Sequence, residues 1–503
     1  MKRIIKFLLI GGLVATGACN KFLDKSPTSF ITPGSSLSSY KVARGFADGC
    51  YQNTKGFNMG SGGYGGNTWV LMEFMTGKTG SDLGQTGFAT FQNLTYNNSS
   101  FYVDTWWQQM YQGIGACNLA IQEIPGITAS DLSDVQKTNM LAEAHTLRAL
   151  YYFYLVRLYG AVPKITKVAT NTGELKPSRT PAKNIYDSII IPDLLLAEKS
   201  TLNWSDASGR ISMGAVESIL ADAYLTYAGA SVNGGQQYYA ESAKRSLNVI
   251  QNGGYTLFTN YTDMINPANK NKGEFILQTQ FAASANVNNP LTQLNIPNYS
   301  GISGYSDEYG SVYPTEQFIA SFNANDKRVQ EKQFFYTSYP AHKDGSLVTF
   351  KHHYIYKWFD SLAVNNTLKS DLNYTLYRLA DVKLMYAEAS NRAEGSPNAV
   401  AIQNVNDIRQ RAGLTPIGTM SQTDFEQEAW LQRYFELCFE NKTWFDMIRT
   451  RKVHTDGANG TWVNFVGYQT DWGYTYTEKQ LLFPVPLVEI NANANLLPNN
   501  TGF

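Results

Sequence analysis

Apolar residues recur at intervals of three and four in paired segments, and this periodicity restricts the fold more than any other feature of the chain. Between Met140 and Tyr159, the residues Ala144, Leu147, Tyr151, Leu155 and Leu158 fall on one face of a helix. Gly160 supplies a stop, and Pro163 prevents continuation. The predicted partner runs from Ile185 to Lys199 with a kink at Pro192. A second pair is predicted over Ser212 to Tyr227 and Tyr238 to Gln251, closed by Gly253-Gly254. A third covers Arg378 to Ala393 and Ala399 to Ala412, closed by Gly413. One more amphipathic helix is predicted over Tyr102 to Ile124, where at least one of Trp106 and Trp107 must pack inward. Paired helices of about 14 to 20 residues fit a helix-turn-helix repeat of the tetratricopeptide kind. Uneven spacing between the pairs leaves an irregular helical scaffold as the alternative.

The segments between the pairs have another texture. Phe57 to Ser100 is rich in Gly, Asn and Thr, and Thr256 to Asn373 in Asn, Tyr and Ser with short β-prone runs at Phe275-Ile276-Leu277 and Tyr354-Ile355-Tyr356. Loops held by a rigid scaffold are where binding residues concentrate. A chain of 503 residues could hold one large domain or several of roughly 150 residues each. No Pro- or Ser-rich linker divides it. The expected organisation is therefore one globule over 19–503, with helical repeats around 102–253 and 374–413 and loop-rich segments around 57–100 and 256–373. The fold class expected is mostly α, a helix-pair scaffold carrying a loop-rich, partly β half.

Residues 1–18 read as a targeting segment. Lys2, Arg3 and Lys6 form a positive start, Ile4 to Val14 is mostly apolar, and Thr16-Gly17-Ala18 are small. Cys19 follows directly, as in a bacterial lipoprotein signal, although such signals usually carry Leu where this chain has Thr16. An ordinary secretory signal is the alternative. The apolar run is too short to span a bilayer, so Cys19 is the expected lipid anchor. Three cysteines remain, Cys50, Cys117 and Cys438, all in apolar helical contexts without CxxC spacing. An odd count leaves at least one free thiol, and a disulfide between two of them stays open.

Composition narrows the function. Lys+Arg and Asp+Glu number 41 each, so there is no electrostatic footprint for nucleic acid. The 32 Tyr, 26 Phe and 9 Trp suit an exported protein that binds something neutral. Signals for catalysis fail. Gly60 to Gly65 matches GxGxxG but has neither the preceding strand nor the following amphipathic helix of a dinucleotide site. Gly77-Lys78-Thr79 lacks the upstream glycine of a phosphate loop, since position 72 is Met72. No GxSxG or HExxH occurs, and His352-His353, adjacent in a β-like run, point to opposite faces. No metal site, cofactor or enzymatic activity is expected.

Several segments together resemble the SusD/RagB family of nutrient-capturing surface lipoproteins of Bacteroidetes. Cys19-Asn20-Lys21-Phe22-Leu23-Asp24 with Pro27 is similar to the family's opening, and Ala142 to Phe153 with Leu158-Tyr159-Gly160 and Val162-Pro163 to its best-defined helix. Tyr377 to Val382, Leu384 to Ala389, and Asn406 through Leu414 continue the match. Gln432 to Leu437 with Phe439-Glu440 and Trp444 to Arg449 is the most specific part, departing at Tyr434-Phe435. Leu481 to Pro486 with Glu489-Ile490 resembles the family's tail. The resemblance implies four tetratricopeptide-like helix pairs. It also implies a place on the cell surface at the outer membrane, over a SusC-like TonB-dependent transporter, with an oligosaccharide or polysaccharide as ligand. A peptide ligand is the alternative, and a glycoside hydrolase the lesser one. Glu436 and Glu440, an i,i+4 carboxylate pair beside Arg433 and Arg449, are expected to form a buried ion network rather than a site.

The ligand is expected on the loop-rich face, with Trp69, Tyr299, Tyr305 and Tyr309 as aromatic contacts. Trp69 follows the glycine run in a stretch too irregular to be helix core, and the tyrosines lie in Asn298 to Tyr313, where no hydrophobic period buries them. Asp82, within Gly80-Ser81-Asp82-Leu83-Gly84, is the candidate acceptor for a ligand hydroxyl.

Overall fold

The computed structural model describes residues 39–57, 67–83, 86–285, 287–305 and 308–503. Cys19 and the glycine stretch 60–66 lie outside them. The helices that build the scaffold are α1 (Tyr40–Gly49), α2 (Asn67–Met75), α3 (Phe101–Glu123), α4 (Asp134–Tyr159), α5 (Met213–Ala228), α6 (Gln237–Asn252), α7 (Leu379–Glu394), α8 (Ala399–Arg411), α9 (Gln422–Glu436) and α10 (Thr443–Thr450). The fold is the mostly α arrangement expected.

Boundaries follow local chemistry. Helix α4 begins before its apolar stripe because Ser133 and Gln136 form a reciprocal capping box. Gly395 at φ +77° and Gly413 at φ +76° end α7 and α8 in the left-handed region, where a side chain would strain. The predicted helix over Ile185 to Lys199 is observed in three parts, Ala182–Ile185, a wide π turn Tyr186–Ile190, and Ile191–Ala197 with Pro192 in its first turn. The π turn absorbs the hydrogen bond that the proline cannot make.

The helices pack in sequence: α3 on α4, α5 on α6, α6 on α7, and α7 on α8 and α9. Helix α5 is buried at every position and is mostly apolar or small, apart from Glu217, which faces Arg245, and Asp222, which accepts from the Tyr377 hydroxyl. Close approach of α3 to α4 depends on Gly113, where a Cβ would stand 2.4 Å from the Tyr151 ring. Trp106 and Trp107 are both buried. A continuous core runs from Ala43 to Leu496. Cys50, Cys117 and Cys438 are buried free thiols. Among the described residues, no helix is long and apolar enough to cross a membrane, and no group of His, Cys, Asp and Glu could hold a metal ion.

The segment 57–100 departs from its expected loop character. It holds α2 and a second helix, Thr86–Gln92. From Trp69 to Met75 every residue of α2 is buried, so the segment shows no amphipathic period to read. A helix thus does follow the glycine stretch, although it is apolar rather than amphipathic.

The β half consists of two-stranded antiparallel pairs. Phe275–Thr279 pairs with Tyr374–Arg378, and Phe335–Pro340 with Leu347–Ile355, so both β-prone runs are strands. The second pair covers its own small core of Ile296, Ile302, Tyr336, Tyr354, Phe359, Val364 and Leu368. Glu436 and Glu440 are buried in an ion network, as expected, but their partners are not Arg433 and Arg449. Helix α9 ends at Glu436, and the pair meets Arg378, Arg411 and Lys357 instead. Arg433 bonds to Asp381 and Asp446, and Arg449 to Glu388 and Asp446.

Candidate ligand-binding face

Three segments far apart in sequence converge on one face. Thr79 pairs with Pro314 and Gly80 with Tyr313, which sets residues 79–83 beside the end of the 296–314 loop. The Asp82 N–H donates to the Gly310 carbonyl at 2.9 Å. Asp82 Oδ2 accepts from the Asn298 N–H at 3.2 Å and from the Tyr354 hydroxyl at 2.6 Å, so one carboxylate joins the loop to the 335–355 hairpin. Gly310 makes this approach possible. Its φ is +52°, and a Cβ there would stand 2.1 Å from Asp82 Oδ2. Burial, and then the neighbouring Asp82 carboxylate, push the Tyr354 phenol well up, so it remains protonated and keeps donating.

The loop is also tied to itself. Buried Glu308 accepts from Ser300 Oγ at 3.0 Å, the Gly301 N–H at 2.7 Å and the Ser303 N–H at 2.8 Å. Asn298 Nδ2 donates to the carbonyls of Glu308 and Tyr309. The hairpin tip joins in, with the His342 N–H donating to the Gly301 carbonyl at 2.9 Å. An irregular loop of this kind would ordinarily be soft, but these hydrogen bonds brace its described residues. Its aromatic side chains therefore stand on a fixed base.

Those side chains differ in what they offer. Tyr299 is 81% exposed and Tyr305 46%. Tyr309 is half-buried and packs against the main core. Tyr313 and His352 stack with ring centroids 4.2 Å apart and 5° between planes. Trp69 must be removed from the set of contacts. It is fully buried in α2, its Nε1 donates to the Phe439 carbonyl at 3.0 Å, and its ring meets Trp358 edge-on at 6.5 Å. Asp82 is at the face as expected, but its Oδ2 is committed to the loop.

The imidazoles of this face escaped the sequence reading as ligand contacts. Adjacent histidines on a strand do point apart: His352 lies on Tyr313, while His353 pairs with Glu316 at 3.0 Å. The aromatic density of Tyr354-Ile355-Tyr356 was the available signal, and it marked the small core beneath rather than the surface. A separate cleft of about 620 Å³ lies between α3 and the C-terminal segment, lined by Trp107, Tyr111, Pro163, Lys176 and Glu489. Its aromatics are spent on the scaffold. Trp107 is 3% exposed, and the Tyr111 hydroxyl donates to the Pro163 carbonyl. An open face carrying tyrosines on rigid loops suits an extended ligand, because the ligand can extend past both ends.

Comparisons with known proteins agree with this architecture. Residues 323–503 match the profile described as SusD family, and residues 21–225 that described as starch-binding associating with outer membrane. A SusD superfamily protein from Parabacteroides distasonis has a solved structure with 49% identity and a TM-score of 0.89, covering 93% of this chain and 100% of its own. SusD-like protein P2 of Formosa agariphila is 26% identical over 96% of both chains. A structure described as a laminarin binding SusD-like protein superposes with a TM-score of 0.73 at 22% identity, covering 93% of this chain and 100% of its own.

Proposed function

From a chain that belongs to the SusD family, we propose a non-catalytic protein of the outer membrane that captures oligosaccharides at the cell surface and passes them to a TonB-dependent transporter. The observation that carries this reading is the pair of exposed rings, Tyr299 and Tyr305, on a loop locked by Glu308 and Asp82. A sugar presents an apolar C–H face and a rim of hydroxyls, and a tyrosine meets both with its ring and its phenol. The laminarin binding relative supports a glycan as the ligand class. Asp82 Oδ1 would accept a ligand hydroxyl, and Tyr309 would contribute at the rim. Retention on a polymer comes from many copies of a modest site.

Gel retardation against a panel of polysaccharides, followed by calorimetry on the one retained, tests the reading. Replacing the central platform, Tyr299 or Tyr305, with Ala should cost about 2 kcal/mol or more, roughly thirtyfold in affinity, and leave the unfolding midpoint unchanged. Single variants and a Tyr299→Ala/Tyr305→Ala double variant that all bind like the wild type would move the site elsewhere.

Cys19, preceded by the charged start, short apolar run and small residues, would be the lipid anchor. A Cys19→Ser variant should leave the membrane fraction, while the anchored protein should co-purify with a transporter from mild-detergent extracts. Persistence of the variant in membranes after a high-salt wash would count against the anchor. Recovery of the anchored protein alone, across several detergents, would count against the partner.

A further inference from the structure

The ionisable groups of the tyrosine face divide into two sets. Each of its carboxylates accepts from the protein's own donors through at least one oxygen. Glu308 holds Ser300, Gly301 and Ser303, and Asp82 holds Asn298 and Tyr354. Asp344 Oδ1 takes the Ser346 N–H and hydroxyl at 2.9 and 2.6 Å, and Glu331 takes Thr337 and Ser338. Glu316 holds His353. Each of these negative charges is turned toward an N–H, an O–H or an imidazole of its own segment or of the adjoining strand.

The bases are not so occupied. Two of the protein's five histidines are committed elsewhere: His145 bonds to Asp193 at 2.7 Å, and His454 lies 3.4 Å from Asp456. Of the three on the 335–355 hairpin, His353 is held by Glu316. Among the described residues, the ring nitrogens of His342 and His352 and the ammonium of Lys343 have no hydrogen-bond or ion-pair partner. Their placement is defined all the same. His342 stands against Gly304, where a Cβ would come within 3.0 Å of its Nε2, in the stretch between Tyr299 and Tyr305. His352 is held flat on Tyr313, whose neighbour Tyr354 is bonded to Asp82. Lys343 follows His342 at the exposed hairpin tip.

A neutral sugar is served by donors and acceptors in mixture. Most carboxylate oxygens of this face are spent on its own donors, Asp82 Oδ1 and Asp344 Oδ2 excepted, while three of its bases are left free, and free N–H groups beside an aromatic platform match an oxyanion. We infer that the captured glycan carries anionic groups, uronate carboxylates or sulfate esters, held by His342 and Lys343 at the hairpin tip and by His352 on Tyr313, on the face that presents Tyr299 and Tyr305. This rests on the glycan reading above and adds the charge class of the ligand. An imidazole N–H donates to an oxyanion whether or not the ring carries a proton on both nitrogens.

Three probes separate the outcomes: polygalacturonate for carboxylate, dextran sulfate for sulfate ester, and laminarin as the neutral glycan. Retardation of the purified protein by one of the anionic probes, at least tenfold stronger than by laminarin, is the expected result. That retention should weaken at least fivefold in a His342→Gln/His352→Gln variant and in Lys343→Gln, and be unchanged in Lys244→Gln, an exposed lysine of α6. It should also fall as salt rises from about 50 to 500 mM, since exposed charges are screened over a few ångströms at high ionic strength. Unfolding midpoints equal to the wild type show that each variant is folded, and Lys343 at the tip provides the test if the histidine variant is not. Which anionic probe is retained distinguishes carboxylate from sulfate. Equal loss in Lys244→Gln would reveal unspecific charge attraction and overturn the inference. Retention of laminarin alone, lost in Tyr299→Ala and indifferent to the histidines, would overturn the inference and leave the glycan reading standing. Failure to retain any of the three and any wider glycan panel would overturn both.

Discussion

An Arg378→Met variant is expected to lose about 3–5 kcal/mol of stability, because it removes one partner from a buried ion cluster. Arg378 is 1% exposed. Its guanidinium donates to Glu274 at 2.8 Å, to Glu436 Oε1 and to the Glu436 carbonyl at 2.8 Å, and to both oxygens of Glu440 at 2.9 and 3.0 Å. Arg411, Lys357 and Arg328 complete the cationic side, and Asp326 faces Arg328 at 2.6 Å. Four cations thus meet four carboxylates with almost no water. The methionine keeps much of the volume but leaves Glu440 with Lys357 alone among the cations. Urea unfolding of the two proteins at pH 7 measures the loss. A difference below about 1 kcal/mol would mean that the cluster costs as much to desolvate as it returns.

The same cluster fixes an acid limit. Burial alone would raise the Glu436 carboxyl, but Arg411, Arg378 and Arg328 outweigh it and hold it at about 2. A depressed folded-state value contributes stability that is complete above the unfolded glutamate value of about 4.3 and is lost as pH falls toward the folded one. The wild type should therefore lose stability progressively from about pH 4 downward, and Arg378→Met should lose less there because part of that linkage is gone. The cluster also joins the two halves of the molecule, since Glu274, Asp326, Arg328 and Lys357 come from the loop-rich segments, Arg378 from the strand end that leads into α7, and the rest from α8, α9 and the turn after α9.

Trp69→Ala is the second variant with a large expected effect, about 3–5 kcal/mol as a large-to-small change in a packed core. The indole is fully buried, and its N–H shares the Phe439 carbonyl with Trp358 Nε1, each at 3.0 Å. Phe439 sits at φ +60° and Asn441 at φ +55°, conformations that side-chain-bearing residues resist and that the surrounding bonds hold in place. Asn441 N donates to Glu73 at 2.9 Å, Tyr374 Oη to the Glu440 carbonyl, and Lys357 Nζ to the carbonyls of Glu436 and Cys438. Removing Trp69 empties one side of that turn. Denaturant unfolding should show the loss, while the fraction still folded should bind glycan as before. Wild-type stability together with impaired glycan retention would restore Trp69 as a ligand contact.

Legibility from sequence tracked the length, residue spacing and stop signals of each element. Helices α7 and α8 were readable to within a residue, and the end of α4 likewise, from three-and-four spacing and glycine stops. Helix α8 has one face in the core and the other toward water, whereas α7 and the later turns of α4 are buried nearly all round. Helix α2 was not readable in this way. It is short and buried from Trp69 to Met75, and a nine-residue run that follows glycines and is apolar but for Asn67, Thr68 and Glu73 carries no amphipathic period. That is why Trp69 read as a loop residue. The tyrosines fared differently. The absence of any apolar period around Tyr299 and Tyr305 correctly implied that nothing buries them. Tyr309, only a few residues on, packs against the core through contacts distant in sequence.

What the amino-acid order determined by itself was set by short-range physics: helix periods, caps, glycine and proline stops, and the family motifs that follow the scaffold. The pairing of charges was decided only in three dimensions. Glu436 and Glu440 look like partners for Arg433 and Arg449 along the chain, yet α9 ends between them and turns both toward Arg378, 58 and 62 residues away. The face was decided in the same way. Asp82 reaches Tyr354 across 272 residues, and no local propensity encodes that distance. A carboxylate leaving water needs donors wherever the packed chain can supply them, so its partners are chosen by the assembled fold and not by its neighbours in sequence.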